Sequence, residues 1–119
     1  MSELAFIIED DEDLATIFSE ALQSSGYVVE AVRDGLIASK RLKETQPDVV
    51  VLDMHLPGIS GEELFTQIHS DARLKHTVVV IATADARMGE AYTEKADFVL
   101  IKPITFTQLR DLSARLHRK

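Results

Sequence analysis

At 119 residues the chain can enclose one hydrophobic core and no second domain. Its 45% hydrophobic and 28% charged residues are ordinary for a globular protein, and a net charge of −7 argues against nucleic acid or an anionic membrane as a direct partner, since both attract cationic surfaces. Cysteine is absent, which excludes disulfides, thiolate metal sites and thiol catalysis.

The amino terminus, Met1-Ser2-Glu3-Leu4, has no basic start, and the apolar run that follows is too short for a signal peptide or a spanning helix, so a soluble cytoplasmic protein is expected. Phe6-Ile7-Ile8 reads as a strand that stops at Glu9-Asp10. Asp11, Glu12 and Asp13 suit the first turn of a helix, where the dipole favours carboxylates, and Leu14, Ile17, Phe18, Ala21 and Leu22 follow at helical spacing up to Gly26. Tyr27-Val28-Val29 reads as a short strand, and Asp34-Gly35 opens a weaker helix carrying Ala38 and Leu42. Val49 to Leu52 form an unbroken apolar run ending at Asp53. Leu56-Pro57-Gly58-Ile59 is a turn, and Ser60 with Glu63 has capping-box spacing for a helix burying Leu64, Phe65 and Ile68. A strand over 78–82 stops at Thr83, a helix with little apolar surface surrounds Gly89 between Met88 and Thr93, and Phe98 to Ile101 stop at Lys102-Pro103. A last helix aligns Phe106, Leu109, Leu112 and Leu116 on one stripe. Strands alternating with helices in this way predict a doubly wound α/β domain with a central five-stranded parallel sheet.

In such a sheet ligands bind beyond the carboxyl ends of the strands. Glu9, Asp10, Asp53, Thr83 and Lys102 all stand there, so four distant segments converge on one site. Three ionised carboxylates against one ammonium leave negative charge that a divalent cation would balance, and oxygen-only donors suit Mg²⁺. A carboxylate beside such an ion, a lysine and a hydroxyl fits phosphoryl transfer onto that carboxylate, with Asp53 as nucleophile. Thr83 would then donate to a phosphoryl oxygen that exists only after transfer, which is the physical basis of a switch.

The segments Ile7-Ile8-Glu9-Asp10-Asp11, Val51 to Gly61 through Asp53 and Pro57-Gly58, Ile81-Ala82-Thr83-Ala84 and Ile101-Lys102-Pro103 occur in order over nearly the whole chain. In this the chain resembles a receiver domain of two-component response regulators, and residues 1–119 are expected to form one such (βα)5, flavodoxin-like domain with no output domain. The resemblance implies Asp53 as phosphoacceptor, charged by a histidine kinase or a histidine phosphotransfer protein. It implies Asp10, Asp53 and the Met54 main-chain carbonyl as Mg²⁺ ligands, with Glu9 assisting, and Thr83 and Lys102 in the switch and phosphate-binding roles. His55 and Asp85, two residues beyond Asp53 and Thr83, are expected to tune the lifetime of the phosphorylated state. A cis Lys102–Pro103 bond also follows from the resemblance, as does homodimer formation through the last two strand–helix units.

The chain departs from the family pattern at Val99, where an aromatic residue is usual three positions before the lysine, with Phe98 expected on the opposite face. It departs again at Lys95-Ala96, where a glycine-alanine pair is common. The histidines His55, His69, His76 and His117 show no ligand spacing, and Arg110, Arg115, Arg118 and Lys119 read as the solvated face of the last helix. Two other functions compete. One is a receiver-like binding scaffold that never takes phosphate. The other is an aspartate-nucleophile phosphatase of the haloacid-dehalogenase type, which needs an acidic residue where His55 stands. Stand-alone regulator, receiver excised from a longer chain, and receiver module of a hybrid kinase all suit the sequence. Each implies a different downstream partner or missing output domain.

Overall fold

The computed structural model describes residues 3–116; Met1, Ser2, His117, Arg118 and Lys119 lie outside them. Five runs rich in β-branched residues pair side by side: β1 (Leu4–Ile8), β2 (Val28–Val32), β3 (Val49–Asp53), β4 (Val78–Thr83) and β5 (Phe98–Ile101). All neighbours are parallel, in the order β2-β1-β3-β4-β5. Parallel strands need crossovers, and here these are α1 (Glu12–Ser24), α2 (Gly35–Glu44), α3 (Gly61–Ser70) and α4 (Ala86–Tyr92), while α5 (Phe106–Leu116) closes the chain. Strand alternation divides the apolar residues between two cores. Ala5, Ile7, Val49 and Val51 face α1 and α5, whereas Phe6, Ile8, Val50 and Leu52 face α2 and α3.

Each of the first four helices begins on an acceptor side chain that stands at the carboxyl end of a strand. Asp11, Asp34, Ser60 and Asp85 are the N-caps, and the Asp11 carboxylate accepts the Leu14 N–H at 3.0 Å. The Ser60 hydroxyl accepts the Glu63 N–H at 3.2 Å, as the capping-box spacing predicts. These caps bring four helix starts to the edge of the sheet where the reactive residues lie.

The structure departs from the sequence reading in four places. β2 starts at Val28 and runs on to Val32, because an edge strand tolerates polar residues. Glu30 within it forms a two-pronged ion pair with Arg41 of α2 at 2.7 and 2.8 Å. A 3₁₀ turn over Ala72–Leu74 follows α3; it carries too little apolar pattern to be read in advance. α4 starts two residues earlier than expected and has Gly89 as its only buried residue. Phe106 is 38% exposed and off the stripe formed by Leu109, Leu112 and Leu116, since Ile104, just before α5, fills the buried place instead.

Two glycines sit against the sheet under different constraints. A Cβ at Gly61 would lie 2.5 Å from Met54 Cα and 2.7 Å from the Asp53 carbonyl oxygen, both main-chain atoms that cannot move alone. At Gly89 the nearest atom is the tip of the Ile101 side chain, which can turn aside. Gly61→Ala should therefore cost about 1–3 kcal/mol in a urea unfolding titration. Gly89→Ala should stay within about 1 kcal/mol of wild type, since better helix propensity offsets the crowding. Equal losses for the two would contradict this account.

Candidate functional site

The four strands β1, β3, β4 and β5 end within one edge of the sheet, and their pairing continues one residue beyond two of them. The Glu9 N–H donates to the Val32 carbonyl at 3.0 Å, and the Lys102 N–H donates to the Thr83 carbonyl at 2.9 Å. Main-chain bonds thus fix where these two side chains start. Asp53, the last residue of β3, pairs with Ala82 of β4, next to Thr83.

The side chains of Glu9, Asp53 and Lys102 meet. Lys102 Nζ lies 3.0 Å from Glu9 Oε1 and 3.3 Å from Asp53 Oδ1. Asp53 Oδ1 also accepts the His55 main-chain N–H at 3.2 Å, so two donors fix that carboxylate. Glu9 Oε2 accepts the Asp11 N–H at 3.2 Å. Glu9, Asp53 and Thr83 are buried, and Asp10 is exposed at the rim. Thr83 Oγ accepts the Asp85 N–H at 3.0 Å, which leaves its hydroxyl proton available to an acceptor in the site. The Asp85 carboxylate is turned to the α4 N-cap, accepting the Arg87 and Met88 N–H groups, and the His55 side chain is exposed. Met54 is buried, with its Cα and sulfur against Gly61. The Lys102–Pro103 bond is cis.

Burial raises the Glu9 pKa to about 7, reinforced by the neighbouring Asp53 carboxylate and opposed by Lys102. For Lys102 burial works against the charge, but Glu9 and Asp53 outweigh it and its pKa is raised. Glu9 Oε1 is buried and accepts no hydrogen bond; its ion contact with Lys102 lacks hydrogen-bond alignment. Glu9, Asp10 and Asp53 each offer one oxygen, and these lie within 4.8 Å of one another. An unsatisfied buried oxygen and a set of hard donors carrying surplus negative charge fit a divalent cation such as Mg²⁺.

The sequence reading gave Gly61 no part in the site, although the structure makes it the residue that lets α3 approach Asp53 and Met54. Its signal was present as the glycine immediately after the Ser60 cap. Gly35 does the same at the start of α2, where its N–H donates to the Pro57 carbonyl at 3.0 Å. Val99 faces the cluster containing Met88 and Tyr92, while Phe98 packs on the α1 and α5 side under the Arg115 guanidinium, 5.5 Å from its ring.

Residues 5–114 match the response regulator receiver domain family. The polar-differentiation response regulator DivK of Brucella ovis is 33% identical over 90 residues, which cover 76% of this chain and 73% of DivK. Among solved structures, a CheY-like response regulator receiver domain from Methylobacillus flagellatus superposes with a TM-score of 0.83 at 27% identity, over 98% of this chain and 99% of that one. The receiver domain of sensor histidine kinase PA1611 from Pseudomonas aeruginosa, solved with a magnesium ion in its active site cleft, has a TM-score of 0.85 at 22% identity and full coverage of both chains. The fold, the family match and the DivK likeness agree: this chain belongs to the response regulator receiver domain family.

Proposed function

We propose that Asp53 is the phosphoacceptor of this receiver, charged by a histidine kinase or histidine phosphotransfer protein, and that residues 1–119 act as one domain. The observation that carries this reading is the placement of Lys102 Nζ 3.3 Å from Asp53 Oδ1 while also 3.0 Å from Glu9. In the reaction an Asp53 carboxylate oxygen forms a bond to phosphorus in line with the departing imidazole. The phosphorus–nitrogen bond breaks, and the imidazole takes up a proton as it leaves. Lys102 neutralises charge on the transferred group, and the His55 main-chain N–H keeps the carboxylate oriented.

Asp10, Asp53 and the Met54 main-chain carbonyl, assisted by Glu9, are the residues that would hold Mg²⁺. The bound ion supplies positive charge against the carboxylates and the incoming phosphoryl group. The magnesium reported for the PA1611 receiver supports this assignment, as do the converging oxygens of Glu9, Asp10 and Asp53. Thr83 turns its hydroxyl toward the new phosphoryl oxygen. Because Val99 replaces the usual aromatic residue, the shift passes through β4 and the Gly89–Ile101 contact rather than through a swinging ring. His55 and Asp85 stand at the mouth and tune the phosphate lifetime. Exposed Ile101 and Phe106 support a partner or homodimer face on the last two strand–helix units. Action in the cytoplasm belongs to the same reading; among the described residues no helix is long and apolar enough to cross a membrane.

Incubation with acetyl phosphate and Mg²⁺ should add one phosphoryl group by intact mass, lost in Asp53→Asn and in EDTA. No adduct, together with failure to bind beryllofluoride, would leave the competing reading of a receiver-shaped scaffold. The haloacid-dehalogenase alternative loses ground because His55, where that mechanism needs an acid, has an exposed side chain and serves the site through its main-chain N–H.

The Glu9 carboxyl has its folded pKa raised from 4.5 to about 7, so its contribution to stability is complete below pH 4.5 and is lost as pH rises through about 7. Cation binding needs the ionised form, so Mg²⁺ affinity should strengthen through the same window and then level off. Glu9→Gln should flatten that profile in a calorimetric titration; an unchanged profile would remove Glu9 from the linkage. Lys102→Met, measured in EDTA near pH ~8, should lose about 1–3 kcal/mol by leaving two buried carboxylates unopposed. Mg²⁺ should recover part of that loss, and full stability without the ion would show that Lys102 is not compensating them.

A further inference from the structure

At the amino-terminal ends of β4 and β5, at the opposite end of the sheet from the carboxylates, lies a cavity of about 690 Å³. That volume falls within the ~300–1,000 Å³ range of small-molecule sites. Buried Ile68, Leu74 and Val79 contribute apolar lining. The charged lining has the sign opposite to the molecule as a whole. Lys75 and Lys95 are both exposed there, with His69 and His76, in a protein whose net charge is −7.

The single acidic lining residue, Asp97, is tied into the sheet. Its carboxylate accepts the Val79 N–H at 2.8 Å, and its own N–H donates to the Val79 carbonyl at 3.1 Å. Two aromatic contacts steady this wall: His69 stacks on Phe65 with ring centres 4.9 Å apart, and Lys95 Nζ sits 5.4 Å from the centre of the Tyr92 ring. Lys95 is also the residue that replaces the family's common glycine in this turn. A concave lining of mixed apolar and polar character, with lysines beside it, is complementary to one chemical class.

We infer that this cavity binds a small amphipathic anion, an apolar or planar body carrying a carboxylate, sulfonate or phosphate. The apolar body lies over Val78 and the edges of Ile68, Leu74 and Val79, and the anionic head pairs with Lys75 and Lys95. The overall negative charge disfavours nucleic acid at this end as elsewhere, and a concave site of this size suits a small molecule better than a protein face. The site lies at the opposite end of β4 from Asp53 and shares no residue with it.

The probe is anilinonaphthalene sulfonate, titrated into the full chain by fluorescence and mapped by amide chemical shifts. Shifts should cluster in residues 68–79 and 95–97. The K75E/K95E double variant should bind at least about tenfold more weakly, the paired arginine variant should retain binding, and Asp53→Asn should bind like wild type. Phenylnaphthylamine, the uncharged analogue, should bind at least about tenfold more weakly than the sulfonate. Thermal unfolding of each variant verifies folding, which substitution of two exposed lysines should not disturb. Equal binding of the uncharged analogue would overturn the assignment. So would an unaffected K75E/K95E variant, or shifts confined to the Ile101 and Phe106 face.

Discussion

Glu9 and Asp53 are withdrawn almost completely from water, and the Lys102 ammonium is the charge that opposes theirs. Burying carboxylates costs several kcal/mol each unless a partner stands close, so the whole edge of the sheet has to deliver that partner. The strand order makes the demand specific. Asp53 leaves the central strand β3, while Lys102 leaves the edge strand β5 with β4 in between. Adjacent strands are spaced by about 4.8 Å, so the two main chains stand roughly 10 Å apart, and the long Lys102 stem, the short Asp53 side chain and the 3.3 Å contact between them close that gap together. Register, the continued main-chain pairing of Lys102 with Thr83, and the reach of one side chain are therefore a single constraint.

Most of this was legible before any coordinates. The apolar runs at β1, β3 and β4 are buried on both faces, and their patterns are correspondingly unbroken. The reactive residues were recognisable because each ends such a run. What the sequence concealed has a common origin. β2 is an edge strand whose Glu30 is balanced by Arg41 from another element, so its polarity hides it. Gly61 matters through main-chain crowding against Met54; its place after the Ser60 cap is visible, but side-chain periodicity does not show which main chain it approaches. Phe106 misled because helical spacing cannot say that Ile104, just outside the helix, takes the buried position.

The two ends of the sheet have opposite chemistry. At the carboxyl ends, Glu9, Asp10 and Asp53 gather negative charge around one lysine. At the amino-terminal ends of β4 and β5, two lysines and two histidines surround an apolar cavity. β4 runs from one to the other, with Val78 and Val79 at the cavity and Thr83 at the carboxylates. β4 thus joins an end rich in carboxylates to one that presents two lysines.

The helices on one side of the sheet are not equally anchored. α2 and α3 are latched together by Ser39 and Gln67, whose side chains bond at 2.7 Å and whose amide returns to the Ser39 carbonyl at 3.0 Å. Arg73 adds a tie to the Leu42 carbonyl at 2.9 Å. α4 has no such hydrogen-bonded latch among the described residues; it buries only Gly89 and rests on α3 through the edge contact of Tyr92 with Phe65, 5.0 Å between ring centres. The face is therefore stiff over α2 and α3 and compliant over α4. A strain applied at Asp53 would be relieved more readily toward α4 and β5 than toward α2 and α3, so the fold is mechanically lopsided before any partner binds.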